Sequence, residues 1–179
     1  MSHQRSPQAL AVGEVTNPHR HVRIEKITLN IGCGTAVKVE NATKIIGLIA
    51  AMKPVVTVSK RRSTFGVTKG TPIGCKVTIR KDTTTVFKRL IAAKEFMLKE
   101  HNFDNTGNLS FGVNEYIDIP GVGYEPSIGM LGMDVCVTLC RPGYRVKRKR
   151  LSKPIGARHV IAKQDAIAFV QSLGVKVEA

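Results

Sequence analysis

The sequence predicts a single α+β domain, in which an antiparallel or mixed sheet carries helices on one face and a basic arm extends from the C-terminal part. The chain has 179 residues, 42% of them hydrophobic, which is enough for one core. Segments with period-two alternation recur along it and are separated by two segments with helical spacing. No run approaches the ~18 apolar residues of a membrane-spanning helix, so we expect no membrane partner.

The first strand and the first helix are separated by a glycine-rich turn. Residues 23–31 alternate polar and apolar side chains, which puts Ile27, Leu29 and Ile31 on one face of a strand. Gly32-Cys33-Gly34 ends the pattern. Asn41 is the candidate N-cap of the helix that follows, and this helix ends before Lys53-Pro54.

Two strands and a longer helix come next. Residues 54–60 and 75–81 have the composition of strands, and residues 61–74 form the loop between them. Asp82 begins the second helix. Its apolar stripe consists of Val86, Phe87, Leu90, Ile91, Ala93, Met97 and Leu98.

The last third contains two more strands, the arm and a short helix. Residues 109–119 and 133–139 are strand candidates on either side of the Gly- and Pro-rich loop 120–132, and residues 165–173 predict a helix that Gly174 ends. Residues 141–158 have no apolar periodicity and predict an extended basic arm. The chain thus divides into a flexible N-terminal segment (1–16), the α+β domain (17–140), the arm (141–160) and a C-terminal helix that packs back on the domain (161–179).

Positive charge is concentrated in two tracts. The net charge is +15, and residues 53–81 and 141–163 hold 17 of the 28 Lys and Arg but none of the 13 Asp and Glu. A merely solvated surface gains from interspersed signs, so two acid-free tracts favour a polyanionic partner such as nucleic acid. The first 22 residues lack the apolar segment of a secretory signal, and we therefore expect an intracellular, cytoplasmic protein.

Motifs that resemble catalytic or cofactor sites fail in detail. The turn Gly32-Cys33-Gly34 follows a strand as a dinucleotide fingerprint does, but Val37 stands at the third glycine position. The stretch 70–76 has the wrong glycine spacing for a phosphate loop. Cys33, Cys75, Cys136 and Cys140 never form a C-x-x-C pair and are interpreted as small buried hydrophobes, with a Cys33–Cys75 disulfide as the minority alternative. The five histidines are scattered, so we expect no enzyme activity, no cofactor and no metal.

RNA recognised by its shape and backbone is the remaining partner. The chain has no Trp, six Phe and three Tyr, too few rings for a platform that stacks successive bases. Alternation instead places polar side chains on the sheet face that the helices leave open: Thr28, Asn30, Thr57, Ser59, Lys76, Thr78 and Arg80.

Four stretches together resemble a known family. RIEKITLNIGCG at 23–34, KPVVTVSKRRSTFGVTKGTPIGCKVTIR at 53–80, NFDNTGNLSFGVNEYIDIPGVGYEPSIGMLGMDV at 102–135 and RPGYRV at 141–146 are similar to the large-subunit ribosomal protein family numbered five in bacteria and eleven in eukaryotes. The similarity runs from about residue 17 to 175. YEPSIGMLGMD and the basic RPGYRVKRKR arm resemble the archaeal and eukaryotic branch.

The resemblance implies a structural protein of the large ribosomal subunit. Family members bind 5S rRNA in the central protuberance, contact P-site tRNA with a loop and reach a small-subunit protein across the intersubunit bridge. The family's RNA-reading Asn, Phe and Thr correspond to Asn30, Phe65 and Thr78, with Thr28, Lys76 and Arg80 beside them on the open face. The family's Gln is Met52 here, which implies apolar packing or a water in place of one hydrogen bond.

The resemblance also assigns roles to the two basic tracts. The tRNA-contacting loop corresponds to residues 61–74, whose glycines allow a close approach to a phosphate chain. Its expected contact residues are Arg61, Arg62, Ser63, Thr64, Gly66, Lys69 and Gly70. Large-subunit rRNA is the expected partner of the arm, through Arg145, Lys147, Arg148, Lys149, Arg150, Lys153 and Arg158.

Two alternatives come from other classes of protein. A cofactor-binding enzyme would use the turn at residues 32–37 and would bind a dinucleotide. A non-specific packaging protein would use the arm alone, and competitor DNA would then displace its RNA readily.

Overall fold

The chain forms a single α+β domain with seven strands and three α-helices among the residues that the structure describes. The structure is a computed structural model that describes residues 17–34, 39–63 and 66–178. In chain order the elements are β1 (Arg23–Gly32), α1 (Val39–Ala50), β2 (Val55–Val58), β3 (Pro72–Ile79), α2 (Thr83–Ala92), β4 (Met97–Lys99), β5 (Leu109–Val113), β6 (Met133–Cys140), α3 (Lys163–Ser172) and β7 (Lys176–Glu178). None of these helices is long and apolar enough to cross a membrane.

A five-stranded sheet in the order β2-β3-β1-β6-β5 forms the centre of the molecule. All four pairings are antiparallel. The predicted inward residues of β1, Ile27, Leu29 and Ile31, are at most 1% exposed. α1 packs against β3 and α2 against β1, each with an apolar stripe at helical spacing. The two helices cover one face of the sheet and leave the other open, as the sequence predicted.

A β-bulge at Glu25 modifies the first strand. Ile24 pairs with Leu139 and Lys26 with Thr138, so that Glu25 is the extra residue. Strict alternation would have put Glu25 on the core face and Ile24 on the open face. Because the bulge shifts the register by one residue, Ile24 packs against the core instead, and the Glu25 carboxylate forms an ion pair with Arg148 of the arm.

Two predictions about helix ends were wrong. Val39 is already helical, so Asn41 lies inside the first turn of α1, and its side-chain amide donates to the backbone oxygen of Ser127 (3.3 Å) rather than capping the helix. α2 ends at Ala92, before Met97, because Glu95 and Phe96 adopt positive φ angles of 53° and 58°. The Phe96 N–H donates to the Ile91 carbonyl (3.2 Å), which closes the helix end.

The strand and loop boundaries also shift. β3 begins at Pro72, so the loop after β2 ends three residues earlier than predicted. β5 ends at Val113, and a 3-10 helix at Tyr116–Asp118 replaces the end of the predicted strand. The sequence did not reveal β4 and β7, which form a parallel pair. That pairing depends on residues almost eighty positions apart, which local periodicity does not show.

The basic arm is less extended than predicted. It contains 3-10 helices at Tyr144–Arg148 and Ala157–His159, and the Tyr144 side chain is buried. α3 follows as expected, with Ala166 and Val170 buried and Gly174 at a φ of +93° after its end. The predicted flexible segment, residues 1–16, lies outside the described residues, as do residues 35–38, 64, 65 and 179.

Candidate RNA-binding face

The open face of the sheet presents rows of polar groups that run across the strands. Residues paired in antiparallel strands point to the same side, so each row follows from the register. One row joins the polar residues Lys76, Asn30 and Asp134, with Val55 and Gly112 at its two ends, and the next joins Thr78, Thr28, Cys136 and Ser110. The sheet therefore brings Thr28, Asn30, Lys76 and Thr78, four residues predicted from the sequence, together on adjacent central strands.

Hydrogen-bonding groups on this face remain accessible. Thr28, Asn30 and Thr78 are partly exposed, and Lys76 is exposed. Arg80 is exposed just beyond the end of β3. The amide nitrogen of Asn30 lies 3.5 Å from an Asp134 oxygen, a long contact between the paired strands β1 and β6. Asp134 is the one acid in the row, and it leaves a mixed polar surface rather than a uniformly basic one.

A groove on the open face contains residues that the sequence did not point to. The 3-10 helix Glu100–Asn102 brings His101 and Asn102 alongside β5. Together with the sheet they bound a groove of about 640 Å³ that Thr28, Asn30, Lys76, Ser110, Asp134 and Cys136 also line. Alternation within β5 and β6 would have identified Ser110, Asp134 and Cys136. Nothing in the local sequence indicates His101 and Asn102.

The predicted tRNA loop is a continuation of the β2–β3 hairpin. The Ser59 N–H donates to Thr71 O (2.9 Å) and the Gly70 N–H to Ser59 O (2.8 Å), which extends the ladder beyond the strands. Ser63 N donates to Val67 O (2.9 Å) further out, and Gly66 and Gly70 have φ angles of +77° and +90°.

The described residues of this loop expose their cations. Arg61, Arg62 and Lys69 are exposed, and none of them forms an ion pair with a described residue. Thr64 and Phe65, two of the expected contact residues, lie outside the described part of the chain. Met52, at the family's Gln position, follows α1 and is 47% exposed, so the protein itself does not bury its side chain.

Hydrogen bonds around Tyr144 fix the arm to the domain. The Tyr144 hydroxyl donates to His159 O (3.0 Å) and accepts from the buried Ile161 N–H (2.9 Å). His159 Nε2 donates to Pro142 O (2.9 Å), and the two rings meet edge to face at 5.7 Å. Burial raises the pKa of the Tyr144 phenol above its usual value, so the hydroxyl stays protonated and can donate.

An ion pair joins the start of the arm to α3. Arg141 Nη2 lies 2.8 Å from Asp165 Oδ2, and the arginine side chain is only 11% exposed. Its Nη1 donates to His159 O and Val160 O, both at 3.3 Å. The arm is therefore a loop held at both ends. Its outward cations include Arg145, Lys149, Arg150, Lys153 and Arg158, whereas Arg148 is paired with Glu25 and Lys147 lies 5.3 Å from the Tyr144 ring.

The cysteines do not form a chemical site. All four are free, and Cys33, Cys75 and Cys140 are buried as predicted, but Cys136 is exposed on the open face, contrary to that prediction. Burial raises the pKa of the Cys33 thiol, and burial followed by the proximity of Cys33 raises the pKa of Cys75 to about 11. The described residues contain no group of three or more His, Cys, Asp or Glu placed to hold a metal ion.

The described surface combines an accessible polar sheet face, an adjoining loop with exposed cations and a basic arm fixed to the same domain. This combination is that of a structural RNA-binding protein. Family comparison makes this specific. Residues 17–67 match the model described as ribosomal protein L5, and residues 72–169 match the model of the C-terminus of the same ribosomal family. The chain belongs to the ribosomal protein L5 family, and its role is structural rather than enzymatic.

Curated relatives agree with the archaeal type of this family. The chain is 43% identical over 159 residues to large ribosomal subunit protein uL5 of Sulfolobus acidocaldarius, covering 87% of this chain and 89% of the relative. It is 43% identical over 166 residues to uL5 of Nitrosopumilus maritimus (90% and 96%). A third relative, uL5 of Pyrobaculum aerophilum, is 40% identical over 171 residues (90% and 93%). The predicted family and branch are therefore confirmed.

Proposed function

We propose that this chain acts in the large ribosomal subunit by binding 5S rRNA with the open sheet face in the central protuberance. The hairpin loop 61–74 contacts P-site tRNA, the arm contacts large-subunit rRNA, and a further surface takes part in the bridge to a small-subunit protein. The relatives named above are large-subunit proteins, which supports the ribosomal setting. The finer assignments depend on the geometry of the surface.

The observation that carries the proposal is the pair of polar rows on the open face. No described helix covers this face, and its central groups, Asn30, Thr28 and Thr78, are hydrogen-bonding side chains held on strands. Rigid strands fix the spacing of these groups, so they suit an RNA of fixed shape better than a flexible single strand. Lys76 and Arg80 supply phosphate contacts at the edge of the same region.

Substitution of the central polar residues tests the 5S rRNA assignment. Asn30→Ala and Thr78→Ala should each weaken 5S rRNA binding at fixed salt by about 1 kcal/mol or more, since each removes a hydrogen bond at a desolvated interface. Thr85→Ala is the matched control, because Thr85 is exposed on α2, which packs on the covered face. Isothermal titration with purified 5S rRNA gives the affinities. Unchanged affinity in both face variants would remove the assignment.

Chemical protection at Cys136 locates the RNA without any substitution. Cys136 is the exposed free cysteine, and it lies in the second polar row. The Cys33, Cys75 and Cys140 thiols are buried, so iodoacetamide should modify Cys136 first in the folded protein. Bound 5S rRNA should slow this alkylation at least several-fold, measured by intact-protein mass spectrometry. Equal alkylation rates with and without saturating RNA would place the RNA elsewhere on the protein.

Charge removal in the loop separates tRNA contact from 5S binding. The triple variant Arg61→Gln, Arg62→Gln, Lys69→Gln should keep its affinity for 5S rRNA while weakening P-site tRNA on reconstituted ribosomes. A triple variant of equal charge loss on the rest of the surface, Lys44→Gln, Lys88→Gln, Lys176→Gln, is the control, since these lysines are also exposed. Parallel loss of both RNAs in the loop variant would contradict the division of roles.

Competition with DNA distinguishes this function from non-specific packaging. Phosphate contacts alone carry little preference between polyanions and weaken steeply with salt, whereas shape-specific contacts persist. We expect 5S rRNA to remain bound in high salt and in the presence of excess duplex DNA. Ready displacement by DNA, together with complete loss of RNA binding after deletion of residues 145–158, would favour packaging by the arm.

A further inference from the structure

A second concave site lies apart from the open sheet face. Residues 20–22, the end of the arm and α3 enclose a cleft of about 330 Å³. Its lining includes Arg20, His21, Val22, Arg158, Val160 and Phe169, and it shares no lining residue with the groove on the sheet. A volume of this size lies at the lower end of ligand sites and is sufficient for one small planar ligand.

The cleft carries uncompensated positive charge. Arg20 and Arg158 are exposed, and neither forms an ion pair with a described residue. Arg141 and Asp165 also line the cleft, but they neutralise one another at 2.8 Å. Asp165 is thus the only acid among the described lining residues, and it is already paired, so two guanidinium groups remain to attract an anion.

An apolar and aromatic wall faces these cations. Phe169 is only partly buried although it belongs to the edge of the core, and Val160 is 39% exposed. A bare phosphate or carboxylate would leave this wall in contact with water. A ligand that combines an anionic group with a flat ring would satisfy both parts of the lining, because the ring packs on Phe169 while the anion meets the arginines.

The cleft is also held in shape before any ligand arrives. Arg141 donates to His159 O and Val160 O in the arm and pairs with Asp165 on α3, so one side chain fixes two walls. The Arg141 Nε atom is buried and has no hydrogen-bond partner among the described residues. Such preorganisation reduces the ordering cost of binding.

We propose that this cleft binds a single nucleotide of an RNA strand, with its phosphate between Arg20 and Arg158 and its base against Phe169. An acidic peptide would meet the charge but would not supply the ring. Arg141, Arg158 and Val160 of the lining belong to the acid-free tract 141–163, so the phosphates of adjoining nucleotides have further positive charge beside the cleft. The inference rests on the proposed contact between the arm and large-subunit rRNA, because Arg158 belongs to both, and not on the sheet face, with which the cleft shares no lining residue.

Two double variants of equal charge test the proposal on the full chain. Arg20→Gln with Arg158→Gln removes the cleft cations, and Arg145→Gln with Arg150→Gln removes two exposed arginines elsewhere on the arm. Binding of fluorescein-labelled hexauridylate is measured by anisotropy at fixed salt. We expect the cleft pair to weaken binding at least about fivefold more than the arm pair, the loss that one desolvated nucleotide contact would give. Equal losses would show that the cleft is only part of a general basic surface.

The role of the ring is tested separately. Phe169→Leu keeps an apolar side chain and the full charge, and circular dichroism verifies its fold. It should also weaken hexauridylate binding, and uridine monophosphate should shift the His21 ring resonances of the wild type at lower concentration than inorganic phosphate does. Equal potency of phosphate and nucleotide would overturn the base contact. Displacement of hexauridylate by hexaglutamate at an equal concentration would overturn RNA in favour of an acidic peptide.

Discussion

Removing the Tyr144 hydroxyl should destabilise the attachment of the basic arm, and the structure indicates which of its two hydrogen bonds determines the loss of stability. Tyr144→Phe deletes a hydroxyl that makes two hydrogen bonds, to His159 O and from Ile161 N–H. These losses are not equivalent. His159 O still accepts from Arg141 Nη1 at 3.3 Å, whereas the Ile161 N–H has no second acceptor among the described residues, and Ile161 is fully buried.

The magnitude follows from that orphaned donor. A buried N–H that loses its partner costs about 1–3 kcal/mol, and the ring itself still fills its site. The free energy of unfolding should therefore fall by about 1–3 kcal/mol. The dependence of this free energy on urea concentration should stay the same, because the substitution does not change the surface that unfolding exposes. Tyr124→Phe is the matched control. Tyr124 is 58% exposed, so we expect Tyr124→Phe to change the free energy of unfolding by less than about 0.5 kcal/mol.

Urea denaturation of the three proteins measures the effect, and amide hydrogen exchange at Ile161 locates it. Protection of the Ile161 N–H should fall in Tyr144→Phe and remain unchanged in Tyr124→Phe. A Tyr144→Phe variant as stable as the control, with Ile161 still protected, would refute the reasoning. It would mean that the hydroxyl is dispensable and that the Arg141–Asp165 pair alone holds the arm.

Three further predictions concern the core, the hairpin and the arm. The folded Cys75 thiol has a pKa of about 11 against 9.0 for the free group, so the unfolded chain loses this proton at a lower pH than the folded chain. The free energy of unfolding should therefore fall as the pH rises from 9 to 11. Urea denaturation across this pH range should show a shallower fall for Cys75→Ala. Gly74→Ala would drive a Cβ into the backbone oxygen of Ile31 and should cost about 1–3 kcal/mol, whereas Gly32→Ala, in the paired position, meets nothing within 4 Å; equal melting temperatures for the two would contradict this packing. Asp165→Asn removes the charged partner of the mostly buried Arg141 and should destabilise the fold by about 1–3 kcal/mol. Glu100→Gln breaks the more exposed Lys163–Glu100 pair and should cost less than about 0.5 kcal/mol. Thermal denaturation compares the two variants.

The central sheet could be predicted because its information is local. Ile27, Leu29 and Ile31 alternate with Thr28 and Asn30 on a strand bounded by Gly32, and a period of two fixes which residues share a face. Features that need a distant partner were not predictable. β4 is a strand because β7 pairs with it, and Glu25 is tolerated near the core because a bulge lets it reach Arg148. Periodicity alone extended the predicted stripe of α2 too far, to Leu98, whereas the helix ends at Ala92.

The candidate RNA-binding face likewise contains residues that local alternation predicts and residues that depend on distant parts of the chain. Thr28, Asn30, Lys76 and Thr78 could be placed on one face from alternation alone, while their order across the sheet required the strand order β3-β1-β6. Cys136 illustrates the limit, since interpretation as a small buried hydrophobe ignored the face on which alternation puts it. His101 and Asn102 border the face because they lie in the 3-10 helix that follows β4, a feature that no motif encodes.

The two basic tracts are held by different means, which explains why the sequence predicted the first, apart from its boundaries, more closely than the arm. Like charges repel, so a dense basic segment stays ordered only where other interactions hold it. Backbone hydrogen bonds at Ser59 and Gly70 hold the loop, and glycine and strand signals predict such a hairpin. Tyr144, with the Arg141–Asp165 pair, holds the arm through side chains that meet only in the folded state. A run of basic residues alone predicts an extended arm. The buried Tyr144 instead fixes this segment to the domain as a loop, with its cations on the outside.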